Sequence, residues 1–210
     1  MDIVKLRQAE QDFFDLYPGG FDNPVMQQIV KKHKPVQMRQ LVCKVFDKAN
    51  FENPPDIVDG MIQVVSRSSL ISIFEKPRFR DFARALPSSM QEQISNALFT
   101  FLYAEKESGF EMLVSILKDG HLAKWPLVTV CPFYVYPETE VLIKPTTVKG
   151  VIEFFDLKGL EYKPNPTYQF YKKYRDVINE MKEHVSPSLA QDNGCFSGFL
   201  MMAMEHRRDH

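Results

Sequence analysis

Between Trp125 and Thr147 the chain reads WPLVTVCPFYVYPETEVLIKPTT, the one stretch where a three-to-four-residue apolar period gives way to dense β-branched and aromatic side chains. Such residues suit a pleated, half-buried surface. The stretch therefore divides a helical lobe, residues 1–122, from an α+β lobe, residues 123–210, the two packed as one compact unit. Leu127 to Tyr136 predicts one strand, and Val141 to Ile143, after the turn Pro137-Glu138-Thr139-Glu140, predicts its antiparallel partner. Leu160 to Lys163 adds a third. Pro132 has no N–H to give a ladder and is expected at an edge or a bulge. The expected class is α+β, mainly helical, with a small antiparallel sheet in the second half.

Elsewhere the pattern is helical, punctuated by proline and glycine. Ile3, Leu6, Phe13 and Leu16 form one face that stops at Pro18-Gly19-Gly20. Asn23-Pro24 and Asn53-Pro54 each read as a cap followed by proline at the first helical position, where its missing N–H costs nothing. Phe79, Phe82, Ala83 and Leu86 lie at i, i+3, i+4 and i+7, and Ser89 to Glu92 fits a capping box ahead of Ile94, Leu98, Phe101 and Leu102. Leu70 to Phe74 is a short apolar run that reads either as a helical turn or as a buried connector. In the back lobe, Pro145-Thr146-Thr147 opens one helix and Tyr171, Tyr174, Ile178 and Met181 share the face of another. Phe196 to Met204 is a last apolar segment before a charged tail, Glu205 to His210.

Several function classes lack their parts. With 26 basic and 27 acidic side chains, the chain has no overall field for a polyanion, so nucleic acid would need a local patch. Cys43, Cys131 and Cys195 are odd in number and far apart, which predicts reduced thiols rather than a disulfide frame or a zinc knuckle. His33, His121, His184, His206 and His210 fall in separate segments without ligand spacing, so no metal is expected. GxSxG, GxxxxGK[ST] and GxGxxG are all missing, and no cofactor is expected. The opening MDIVKLRQAEQDFF has no apolar core of a secretory signal, and no apolar run approaches about 20 residues. A cytoplasmic location is expected, with no membrane partner.

Short blocks spread over most of the chain resemble a family of bacterial hypothetical proteins with no established activity. They are the turn Tyr17 to Phe21, the run ending Phe74-Glu75-Lys76, Trp125-Pro126-Leu127 with Thr129 and Pro132-Phe133, Lys144-Pro145-Thr146, Tyr162, and Pro166-Thr167 with Tyr168 and Tyr171. The family's end carries an aspartate followed by a tryptophan-containing segment. Here Asp192 leads into Asn193-Gly194-Cys195-Phe196 instead. The resemblance implies a shared fold and supplies no substrate.

Two surfaces carry candidate chemistry. Lys144, flanked by Ile143 and Pro145, sits where a predicted strand leads into a helix. Thr146 and Thr147 offer hydroxyls and free N–H groups there, and Glu75 and Trp125 complete a possible cleft for a small anion. The second surface is YKPNPTYQFYKKYR, residues 162–175, whose Lys163, Lys172, Lys173 and Arg175 interleave with rings as a single-stranded nucleic-acid groove requires. Helical geometry sets Tyr171 and Tyr174 on the core side, which leaves the basic residues as a solvated face. Glu138 and Glu140 read as a solvated turn. The expected function is a cytosolic binding or regulatory module without catalysis, taking a protein partner or a small anionic ligand. The alternatives are a nucleic-acid-binding protein using residues 162–175 and an enzyme with a cleft near Lys144.

Overall fold

The structure, a computed structural model, describes residues 1–206; residues 207–210 of the charged tail, His210 among them, lie outside the described residues. The chain is 71% helical, with no strand among the described residues. Among the described residues eleven α-helices follow one another: α1 (Ile3–Leu16), α2 (Pro24–His33), α3 (Pro35–Val45), α4 (Pro54–Arg67), α5 (Glu75–Arg84), α6 (Ser88–Tyr103), α7 (Lys106–Asp119), α8 (Trp125–Val135), α9 (Pro145–Phe154), α10 (Tyr168–Lys182) and α11 (Asn193–His206). The expected α+β class with its antiparallel sheet is thereby corrected to an all-helical one.

The correction centres on α8, the stretch expected to supply the first strand. Nine of its eleven residues are buried, Trp125 and every residue from Leu127 to Tyr134. A segment enclosed on all sides must satisfy its own backbone unless a neighbour supplies a ladder. The expected partners, Val141 to Ile143 and Leu160 to Lys163, have no regular structure, so the helix is the conformation that closes the hydrogen bonds. β-Branched residues cost only a few tenths of a kcal/mol each in a helix. Burial yields about 1.5–3 kcal/mol for a Val or Phe side chain, enough to outweigh that cost and the roughly 3 kcal/mol of an interior proline such as Pro132. Thr129 Oγ1 donates to the Trp125 carbonyl at 2.8 Å, which accommodates its hydroxyl. Arg39 of α3 donates to the last two carbonyls, Tyr134 O at 3.3 Å and Val135 O, closing the C-terminus of α8.

The proline rules hold at α4, which starts with Pro54 after Asn53. They hold also at α9, which starts with Pro145. The capping box at Ser89 does not form, because the cap of α6 falls two residues earlier, at Pro87, with no side-chain cap bond.

The chain divides into two compact units. One takes Met1–Lys32, Tyr136–Pro164 and residues from 169 onward. In it α11 packs against α1 and α9. Phe13 meets Phe199 edge-on at 5.4 Å, and a Cβ placed on Gly150 would lie 2.9 Å from the Met204 sulfur. The other takes His33–Val135 and Asn165–Tyr168. Here α4 lies among α3, α5, α6 and α8 and buries Ile57, Val58, Met61, Ile62, Val64 and Val65. The α6–α7 pair approaches so closely at Gly109 that a Cβ there would come 2.1 Å from the backbone nitrogen of Phe101. Trp125 is 1% exposed and leans on Phe110 at 6.2 Å. No helix among the described residues is long and apolar enough to cross a membrane.

Candidate functional site

In the second unit the turn between α4 and α5 is fastened at three points. Ser68, fully buried, shares a 3.0 Å hydrogen bond with the Tyr134 hydroxyl and accepts from Leu70 N at 3.1 Å. Ile71 is buried. Ser72 then accepts from Phe74 N through its hydroxyl at 3.3 Å and from Glu75 N through its carbonyl at 3.0 Å. Burial raises the pKa of the Tyr134 phenol, and the bond to Ser68 only partly offsets this. The anchor therefore keeps its proton through the neutral range.

What this fastening holds out is apolar. Ile73 is 72% exposed and Phe74 76% exposed, so of the two readings of Leu70 to Phe74, helical turn or buried connector, the second does not hold at its end. Below them α5 is pinned by buried Phe79 and Ala83. Phe74 has helical backbone angles, φ −81° and ψ −26°, so Arg78 follows it at i+4 on the same side of the helix. Arg78 and Lys124 both act on the carboxyl of Glu75, whose pKa is nonetheless raised because burial is the largest influence on it. Arg78 is thus one turn from Phe74 on the same side of α5, and Lys124 lies within reach of the neighbouring Glu75. Sequence reasoning missed this tip, since nothing in LISIF distinguishes a buried connector from one that turns outward after Ile71. The serines at 68 and 72, spaced to hold two successive turns, were the available signal.

In the first unit a second constellation grips the segment expected to be a solvated turn. Four consecutive carbonyls are held by other elements: Pro137 O accepts from Asn193 N at 2.7 Å, Glu138 O from Lys182 Nζ at 2.5 Å, Thr139 O from Asn179 Nδ2 at 2.8 Å and Glu140 O from Asn193 Nδ2 at 3.0 Å. The Glu140 side chain, 1% exposed, accepts from the Tyr171 hydroxyl at 2.5 Å and faces Arg175 Nη1 at 3.5 Å. Tyr171, Arg175, Asn179 and Lys182 recur at steps of four, four and three, one face of α10.

Burial is the main reason the Tyr171 phenol is pushed well above its ordinary pKa, with Glu140 adding to it. Burial draws Arg175 down, but Glu140 and Asp176 together hold it above its usual value. Burial lowers Lys182, with Asp192 and Glu138 opposing. Asn193 Oδ1 is buried with no hydrogen-bond partner. The composition of residues 136–140 hides all of this, because the partners lie 31 to 56 residues further along the chain.

The sequence-predicted residues fall as follows. Lys144 is the exposed cap residue of α9, in extended conformation, with no side-chain cap bond; Thr146 is exposed and Thr147 partly so. The strand end expected to aim Lys144 into a cleft is an irregular segment. Glu75 and Trp125 belong to the other unit, and Trp125 is too deeply buried to offer a ligand a face. Lys163 lies in an irregular segment, and Lys172 and Lys173 project from α10. Arg175 is part-buried and engaged with Glu140 and Asp176. The rings needed for stacking on bases, Phe170, Tyr171 and Tyr174, are in the core, while partly exposed Tyr162 has the Lys149 ammonium over its face at 5.0 Å. Among the described residues no group of three or more His, Cys, Asp or Glu could hold a metal ion.

Comparison with protein-family models, with curated proteins and with solved structures finds no match to this chain.

Proposed function

We propose that the protein is a binding module whose docking element is the Ile73–Phe74 tip. The observation that carries this reading is the exposure of two adjacent large apolar side chains on a backbone immobilised by Ser68, Ile71 and Ser72. Interface energy concentrates in a few apolar and aromatic anchors that enter a recess on the partner. Preorganised anchors lose less entropy on docking than those on a loose loop. Solvation alone gives no reason to fasten a turn so as to hold a phenylalanine in water.

Selection of displayed random peptides on the intact protein tests the reading. Peptides recovered on the wild type should lose at least about tenfold in affinity for Phe74→Ser, while Val4→Ser, an exposed apolar position in the other unit, leaves them unchanged. Both variants should keep the wild-type melting temperature, because neither side chain is part of the core. A selection in which no peptide depends on Phe74 or Ile73 would reject the docking role.

A further inference from the structure

We infer that the partner received by the Ile73–Phe74 tip is an acidic protein surface, an apolar recess rimmed by carboxylates. The inference rests on the docking reading above and adds the chemistry of the occupant.

Charge around the tip carries it. In a chain of formal net charge −1, residues 67–84 hold five basic side chains, Arg67, Lys76, Arg78, Arg80 and Arg84, against two acidic ones, Glu75 and Asp81. Asp81 is taken up by Arg80 at 2.9 Å. Lys124 joins the group by its action on Glu75. A partner that buries the Phe74 ring brings its rim against Arg78 and, beside Glu75, Lys124, and an unpaired charge at such a rim weakens binding. Carboxylates opposite them supply complementary potential and steer the encounter. Arg78, one turn from the ring, can fork onto a carboxylate with two parallel hydrogen bonds, a geometry that a lysine cannot provide.

An anionic lipid surface shares the sign but fits less well. Glu75 stands among the cations, where a laterally mobile anionic sheet sets phosphates against it without a fixed counterpart. A folded partner can hold a donor opposite it. The apolar part is also confined to two side chains.

The test uses the full-length protein and three defined probes: an amphipathic leucine–glutamate peptide of about 20 residues, its glutamine counterpart, and vesicles containing phosphatidylserine. The glutamate peptide is expected to bind at least about tenfold more tightly than the glutamine one, to weaken as salt is raised, and to lose affinity separately with Phe74→Ser and Arg78→Gln. If both peptides bind equally and both depend on Phe74, the docking tip stands and the acidic partner is overturned. If neither binding depends on Phe74, the docking reading falls with it. Phe74-dependent vesicle binding would assign the tip to lipid, and Phe74-dependent self-association in sedimentation would assign it to a second copy of the chain; either overturns the inference.

Discussion

The Tyr171 hydroxyl donates to the Glu140 carboxylate across 31 residues of sequence, and both partners are sealed from solvent. A carboxylate enclosed to that degree is tolerable only while its hydrogen bonds and its countercharge are kept. The pair therefore sets the tolerance of the whole clamp to substitution.

Tyr171→Phe removes the donor without changing the ring's volume and leaves Glu140 with Arg175. The expected loss is about 1.5–3 kcal/mol of unfolding free energy, the range for a hydrogen bond to a charged group. Urea unfolding with an unchanged slope measures it, and a loss below a few tenths of a kcal/mol would show that the bond contributes nothing net.

Arg175 and its two lysine neighbours should separate cleanly. Arg175→Gln strands Glu140 without its countercharge and is expected to cost about 3 kcal/mol or more. Lys172→Gln and Lys173→Gln, both at exposed positions, should stay within about 0.5 kcal/mol of wild type. Equal effects from all three would mean that the Glu140 pairing is not what Arg175 is for.

Alkaline solution should destabilise the protein steeply. Burial raises the Cys131 thiol from 9.0 to about 12 and lifts the Tyr174 phenol above 10.0, so in each case the folded state holds its proton beyond the pH at which the unfolded chain releases it. Stability is complete below the unfolded pKa and falls as pH rises toward the folded one, by up to about 1.4 kcal/mol per pH unit for each group. The window opens near pH 9 for Cys131 and near pH 10 for Tyr174. Unfolding free energies measured under reducing conditions should decline through that range, and Tyr174→Phe should flatten the upper part. A stability flat to pH 11 would contradict both burials.

Trp125→Ala should cost about 3–5 kcal/mol, because the indole fills space among Phe110 and the buried side chains of α8 that an alanine leaves empty. Native emission should be that of an indole shielded from water. A maximum typical of free tryptophan would refute the placement.

The helices were legible where proline, glycine and a single apolar face agreed, as at α1, α4 and α9. Tyr171 and Tyr174 could be assigned to the core from spacing alone. α8 was not legible. With no polar face it has no period to read, and its composition favours a strand, whereas the outcome depended on whether a ladder partner existed elsewhere. Glu140 failed for a related reason: one glutamate in a Pro-Glu-Thr-Glu turn is ordinarily solvated, and only the distant Tyr171, Arg175 and Asn193 make its burial tolerable. The run holding Ile73 and Phe74 stayed open between a helical turn and a buried connector, since hydrophobicity says nothing of a turn fastened outward.

The division of the chain between its two units has a consequence for synthesis. The unit holding α4 and α8 is nearly contiguous, lacking only Asn165–Tyr168 once residue 135 has been made. The unit holding α1 draws on both ends of the chain, and its Pro137 to Glu140 carbonyls wait for Asn179, Lys182 and Asn193. On the ribosome α1 emerges long before its packing partner α11, which follows it by nine intervening helices. During that interval the buried face of α1, Leu6, Ala9 and Phe13, is open to chaperones. Protease resistance of stalled nascent chains should accordingly appear first in α3 to α8 and reach α1 only after α11 has cleared the exit tunnel.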